Sequence, residues 1–569
     1  MAPSLADLSQ GFRQSYLDDT QLNVQLQAWA QAYPALVRLT SLAKTPEGRD
    51  VWLVTIGPEP DRIRPAVWAD GNLHAAELCG SSVALAIAED ALRAHLDPEA
   101  LDLPTPVIDR MREVLFYVVP RISPDGAEAV LKTGRTVRSV PRDSRVERGQ
   151  PRWLISDIDG DGTALAMRVK DPGGELVESS EFPGLLVERT IEDEGPFYKV
   201  YPEGTIEHWD GKRIPSPFFL GDNPIDLNRN FPWFWAPGHE QIGAGPFPTS
   251  EPEARGIVEF TSKHPEIFAW CDYHTFGGVL IRPLGHAPDS KMDQEDLAIF
   301  RQLEAWMTEH TGYPTVNGHD EFLYEPDKPL HGDLSDYAYN QRGALAYVVE
   351  LWDLFKRLGM ERPTKFVQYY ERVSRADLVK LAWWDRDENE GRIFPGWKPF
   401  KHPQLGDVEV GGIDPRIGLW NPPPHELPAV CLSQSHVFCR MAALAPRLRI
   451  ARTDRHALPG GLVRVEVQVI NEGYLASYGA PSAKKLDFNE PLYATAKGEL
   501  VDPGTTHQLL GHLDGWGHGL HTGANLPAYP GTRGTTNAAW ASYLVRGGGA
   551  LDVRIGCART GFVSVRIEV

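Results

Sequence analysis

Cysteine is scarce in this chain. Five residues (Cys79, Cys271, Cys431, Cys439 and Cys557) occur among 569, an odd number without a C-x-x-C pair. That excludes the disulfide framework of a small secreted scaffold, although Cys431 and Cys439 are close enough in sequence to pair. Long apolar runs are missing too, since none approaches the roughly 20 residues of a membrane span. Positive charge is in deficit: 57 Lys and Arg against 77 Asp and Glu leave a formal charge of −20. Such a balance argues against nucleic acid and anionic membrane surfaces as partners. The opening MAPSLADLSQGFRQSYLDD lacks a basic segment followed by an apolar stretch. A cytoplasmic protein is expected by that absence of a signal peptide, and a secreted one whose leader has been removed reads the same.

What is present is ordinary for a globular chain, with 42% apolar and 24% charged residues. The length exceeds the roughly 250–300 residues at which one core stops growing, so at least two domains are expected. Short apolar runs at 51–57, 65–70, 113–119, 267–273 and 344–351 read as buried strands. Between them, 81–96, 251–264 and 295–312 carry helical patterns, the last stopping at Gly312. This alternation predicts an α/β domain over 1–389 with a mixed central sheet and helices on both faces. Residues 139–220 are rich in Gly, Pro and charge and read as an elaboration on that sheet. Residues 390–445, with GRIFPGWKPF and NPPPHELP, read as a turn-rich connection. From 446 to 569 the period becomes two, as in GLVRVEVQVINEG, which predicts an all-β, sandwich-like domain.

Three residues follow strand ends in a pattern that points to a metal. His74 and Glu77 form H-x-x-E just past PAVWAD, and His274 follows IFAWCDY. Two imidazoles and one carboxylate, with a fourth position left to water, make a catalytic zinc set. H-x-x-E alone also arises as a chance surface pair; its placement at a strand end favours the metal. Glu350 lies inside the apolar run ALAYVVELW, where a carboxylate is costly unless paired or working. An ion pair would explain it, and so would a general base that takes a proton from water beside the metal. A second metal is suggested by SDIDGDG, where Asp157, Asp159 and Asp161 alternate and Gly162 turns the chain. The twelfth position of that candidate calcium loop is Arg168 rather than a bidentate Glu, with Asp171 as a substitute, and an acidic solvated turn reads equally from it.

Taken in order along the chain, these segments resemble the zinc carboxypeptidase family of the carboxypeptidase A and B type, over roughly residues 15–385. SLAKTPEGRDVWLVTIG is similar to its opening hairpin, and His74, Glu77 and His274 fall on its zinc ligands. SPDGAEAVLKTGRTVR ends on Arg138, which the resemblance makes the arginine that polarises the scissile carbonyl. DLNRNF carries over Asn228 and Arg229 as binders of the substrate's terminal carboxylate and Asp226 as the partner that orients His74. SDYAYNQRGALAYVVEL puts the general base at Glu350 and side-chain preference at Ser335. The family's H-x-R-E is His74-Ala75-Ala76-Glu77 here, so a substrate-binding arginine is missing. Its mobile tyrosine has no clean counterpart: strict counting lands on Lys328, and Tyr324 lies nearby.

The resemblance implies a zinc-dependent hydrolase that removes C-terminal residues from peptides or proteins. A zinc amidase or deacylase acting on small N-acyl amino acids would share metal and clamp. A binding protein built on an inactive peptidase would not need the full set of His74, Glu77, His274 and Glu350.

Overall fold

The computed structural model describes residues 3–135, 137–143, 149–217, 224–325, 328–371, 373–517 and 534–569. Its centre is an eight-stranded mixed sheet. Read across, the strands are Val37–Lys44, Asp50–Ile56, Leu115–Val119, Ala66–Gly71, Ile267–Thr275, Leu345–Leu351, Val279–Arg282 and Thr315–Asn317. The middle pairs are parallel, and antiparallel pairs lie toward both edges. Every residue of Ala66–Gly71 and of Ile267–Thr275 is buried, so both faces of the sheet's centre are covered. That is why these strands read as unbroken apolar runs instead of alternating ones.

The helix Leu78–Leu96 is pressed against this centre, and Gly80 allows the approach. A Cβ at Gly80 would stand 2.3 Å from the Tyr273 carbonyl oxygen, next to His274. Among the described residues no helix is long and apolar enough to cross a membrane.

Residues 390–445 are not a turn-rich connection throughout. Gly396–His402 and Gly406–Gly412 form a hairpin, and Leu427–Ala442 is a helix with a proline in its first turn. A proline costs nothing there because its missing N–H has no partner to lose, so the Pro-rich run marks a helix start. The hairpin pairs through Gly406–Gly412 with Ala166–Lys170 of the 139–220 elaboration. Together they make a six-stranded sheet, with Val408 and Val410 packed on Trp153, Met167 and Ile206. Within that elaboration, 144–148 and 218–220 lie outside the described residues. All five cysteines are buried free thiols. Cys431 and Cys439 sit on one helix eight residues apart, about 12 Å along its axis, too far to bridge.

The C-terminal part is all β. A three-stranded antiparallel sheet (Leu448–Leu458, Leu462–Asn471, Ala538–Arg546) faces a four-stranded one (His507–Gly511, Leu492–Lys497, Ala550–Cys557, Gly561–Glu568). Alternate residues such as Val465, Val467, Val553 and Ile555 make their shared core. Arg559, 1% exposed, reaches out of this unit and donates to the Ile267 carbonyl at 3.2 Å, the Arg342 carbonyl at 3.0 Å and Asn489 Oδ1 at 3.0 Å. Burial lowers its pKa to about 10. Arg559→Ala would take a donor from two buried acceptors and one partly buried one, so a loss of about 3–5 kcal/mol is expected, read as an earlier denaturation midpoint. An unchanged midpoint would mean that this arginine does not fasten the two parts together.

Candidate active site

The turn after Ala66–Gly71 is closed by its own side chains. Asn72, at φ 56, donates its amide to the carbonyls of His74 (2.8 Å) and Ala75 (3.1 Å). Asparagine tolerates that left-handed conformation better than most residues. The turn delivers His74 and Glu77 to the end of the sheet, while strand pairing delivers the others. In parallel register, His274 stands opposite Glu350 on the neighbouring strand.

The geometry of the two histidines tests whether a metal fits. His74 Nε2 meets Asp226 Oδ1 at 3.1 Å, and His274 Nε2 meets Asp272 Oδ2 at 2.8 Å. Carboxylate oxygens accept, so each Nε2 is the donor there and Nδ1 is the nitrogen each ring would offer to a metal. The two Nδ1 atoms are 3.1 Å apart, and each is 2.8 Å from a different oxygen of Glu77. Three lone-pair donors converging in a buried place call for a cation between them. Two imidazole nitrogens and one carboxylate are the donor set of a catalytic zinc with one open position, so these residues fit zinc.

Electrostatics at the site follow from this crowding. Burial disfavours a charged Glu77, but His74 and His274 outweigh it and hold its carboxyl below the usual range. Burial likewise opposes a charged His274, yet Asp272 and Glu77 raise it well above an ordinary histidine. Glu350 has one buried oxygen without a hydrogen-bond partner, and burial pushes its pKa up to about 8; His274 opposes the shift and Glu77 adds to it. A divalent cation held by the triad would favour the Glu350 carboxylate.

Asp272 escaped the sequence reading, although a signal existed. It lies two residues before His274 on one strand, hence on the same face. It has a partner of its own in Asp70, opposite it in register. Burial, then the neighbouring Asp272, raises Asp70 well above a normal carboxyl. The indole N–H groups of Trp68 and Trp270 donate to one Asp70 oxygen. The imidazole is thus oriented by a carboxylate that lies alongside Asp70.

Asp226 joins the metal turn to an arginine, since its second oxygen takes Arg138 Nε at 3.0 Å. Asn228 and Arg229 form the turn after it. The side-chain oxygen of Asn228 accepts from Leu334 N at 2.8 Å, which leaves its NH₂ as the group to offer a ligand. All three candidate zinc ligands line one cleft with Arg138, Asn228, Arg229, Tyr324, Ser335 and Glu350. Tyr324 is 57% exposed at the rim, whereas Lys328 pairs with Glu325 and is not among the lining residues. The Ser335 hydroxyl is committed to Asp333 Oδ1 at 2.6 Å. Asp333, Phe276, Tyr370 and Trp420 also line the cleft and carried no signal in the sequence.

Calcium is not supported. Asp157 and Asp159 gather with Glu203, not with Asp161. Asp157 accepts from Gly160 N and Gly162 N, Asp159 from Asp161 N, and Asp161 from Thr163 N and Lys398 Nζ. Glu203 takes Ile158 N and Leu165 N, and Asp171 takes Gly173 N. An Asx-rich turn satisfies its own backbone here, which is what such residues do without a metal.

A family model described as zinc carboxypeptidase matches residues 22–158 and 209–374, and the model of a domain of unknown function matches 447–568. Carboxypeptidase A6 of Mus musculus is 21% identical over 343 residues, covering 58% of this chain and 59% of the relative. A zinc carboxypeptidase of Saccharothrix mutabilis subsp. capreolus is 31% identical over 104 residues, or 18% of this chain and 23% of the relative. The chain therefore spans less than two thirds of the length of these relatives. The crystal structure of thrombin activatable fibrinolysis inhibitor is similar at a TM-score of 0.45 and 13% identity, over 77% of this chain and 76% of that one. Since the family match takes in more than half of the chain, this protein belongs to the zinc carboxypeptidase family.

Proposed function

We propose that this protein hydrolyses the last peptide bond of peptides and proteins that end in a free carboxylate. One observation carries the reading: a fitted metal triad, a buried carboxylate and an Asn–Arg pair share a single cleft. His74, Glu77 and His274 would hold zinc, which would supply Lewis-acid polarisation of the scissile carbonyl and acidify water. Arg229 and the Asn228 amide grip the planar terminal carboxylate, which an arginine fork matches better than a lysine does. That grip allows only the last bond to reach the reacting groups. Glu350 takes a proton from the attacking water and passes it to the leaving amine. Arg138, steadied by Asp226, stabilises the negative charge that develops on the carbonyl oxygen. Asp226 and Asp272 keep the two imidazoles in the tautomer that binds metal.

The experiment compares peptides with free and amidated C-termini. Free peptides should be shortened one residue at a time and amidated ones cut poorly. Arg229→Ala should remove most of that discrimination, because losing a charge-assisted pair costs about 1.5–3 kcal/mol, or roughly 10–150-fold. Internal cleavage of amidated peptides at comparable rates would refute the clamp. Efficient hydrolysis of N-acetyl amino acids with no action on peptides would replace this reading by a deacylase.

A further inference from the structure

The loop 414–421 lies beyond the part of the chain that the family model matches, which ends at 374, yet it reaches the metal turn. Asn421 is fully buried between the two ends of that turn. Its side-chain oxygen accepts from Cys79 N at 2.8 Å, and its amide donates to the Ala76 carbonyl at 2.7 Å and the Arg416 carbonyl at 2.8 Å. The first contact meets a specific need. Glu77 is the N-cap of the helix Leu78–Leu96 but makes no side-chain cap, because both its oxygens are turned to the histidines. A helix start leaves N–H groups without partners, and Asn421 supplies the missing acceptor from another part of the chain. The second contact holds Ala76, where the family's sequence has an arginine.

The same loop is fixed to the base strand. The indole of Trp352, two residues past Glu350, donates to the Gly418 carbonyl at 2.9 Å. Gly418 has φ 104, and a Cβ there would meet Asn389 Nδ2 at 2.2 Å, so only glycine allows this close approach. Trp420 is thereby hung in the cleft, half-buried, its ring edge-on to Phe276 at 5.4 Å, and Phe276 in turn edge-on to Tyr370 at 5.5 Å. The terminal-carboxylate group is built from other residues of the same cleft, with Asn228 bonded to Leu334 beside Asp333 and Ser335.

We propose that this loop is a working part of the site: Asn421 is a positioning residue for the metal turn, and Trp420 is a wall for the substrate residue on the acyl side of the scissile bond, favouring an aromatic or large apolar side chain. This rests on the carboxypeptidase reading for Trp420 and on the metal site alone for Asn421. Chelator competition would measure zinc affinity in the full chain without any turnover. Asn421→Ala should weaken zinc about 10–100-fold, the range for groups that orient ligands, and Asn421→Asp, which keeps the acceptor for Cys79 N, should recover part of it. Unchanged affinity in Asn421→Ala, with only a lower Tm, would make Asn421 structural and overturn its role. For Trp420, N-blocked peptides with one terminal residue and Phe, Leu, Gly or Asp before it are compared. Wild type should prefer Phe over Gly, and Trp420→Ala should lose roughly 2–10-fold of that preference through KM, with terminal-residue preference unmoved. Equal Phe-to-Gly ratios in both proteins, or a shift in terminal preference instead, would overturn the wall. If wild type cut no peptide, the carboxypeptidase reading would fail, while the zinc measurement would still decide whether the loop serves the metal turn.

Discussion

Glu350→Gln is expected to lower kcat by about 10²–10⁴-fold while zinc content and fold stay as they are, because the change removes a base and little else. Glutamine has nearly the same shape and removes a carboxyl whose proton, held in the folded site up to about pH 8, would be released on unfolding at neutral pH. Stability should therefore hold or rise in the metal-free protein. The measurement pairs steady-state kinetics with metal analysis on the same sample. A near wild-type kcat with zinc present would remove Glu350 from the proton transfer. A loss of zinc together with activity would show that Glu350 supports the metal site and would leave the base unassigned.

Taking zinc away should abolish turnover altogether and should also lower stability. A ligand present at about a thousand times its Kd stabilises the folded state by about 4.1 kcal/mol, so chelation should bring the melting temperature down by that linkage. His274→Ala should bind well under one zinc per chain and be inactive. Its loss strands Asp272, whose carboxylate would then sit fully buried with Asp70 and no imidazole. Full zinc occupancy and activity in His274→Ala would end the assignment of this triad as the metal site.

The candidate site was legible to unequal depth, for reasons that particular residues make plain. His74 and Glu77 could be read because a turn after a strand keeps its ligands within four residues. Asp272 could have been read from the two-residue period of its strand. Asp70 could not, since its place beside Asp272 depends on which strand lies alongside. In the loop SDIDGDG the local pattern misled: alternating aspartates look the same whether they bind calcium or their own backbone amides, and here the amides take them.

The sequence by itself determined the kinds of local structure and the chemistry they could carry. Unbroken apolar runs became the covered strands, the period-two region became the C-terminal sandwich, and the arginine, asparagine and glutamate segments carried the residues that line the cleft. Tertiary structure alone decided which distant pieces meet. It set His274 opposite Glu350, brought Asp226 to His74 across 152 residues, and closed one sheet from Ala166–Lys170 and Gly406–Gly412. It also laid the loop 414–421 against the metal turn, where Asn421 bonds the backbone of Ala76 and Cys79. Propensity and periodicity act over a few residues. Register and loop placement are instead settled by burying apolar surface and pairing every buried polar group across the whole chain, and no short stretch of sequence carries that sum.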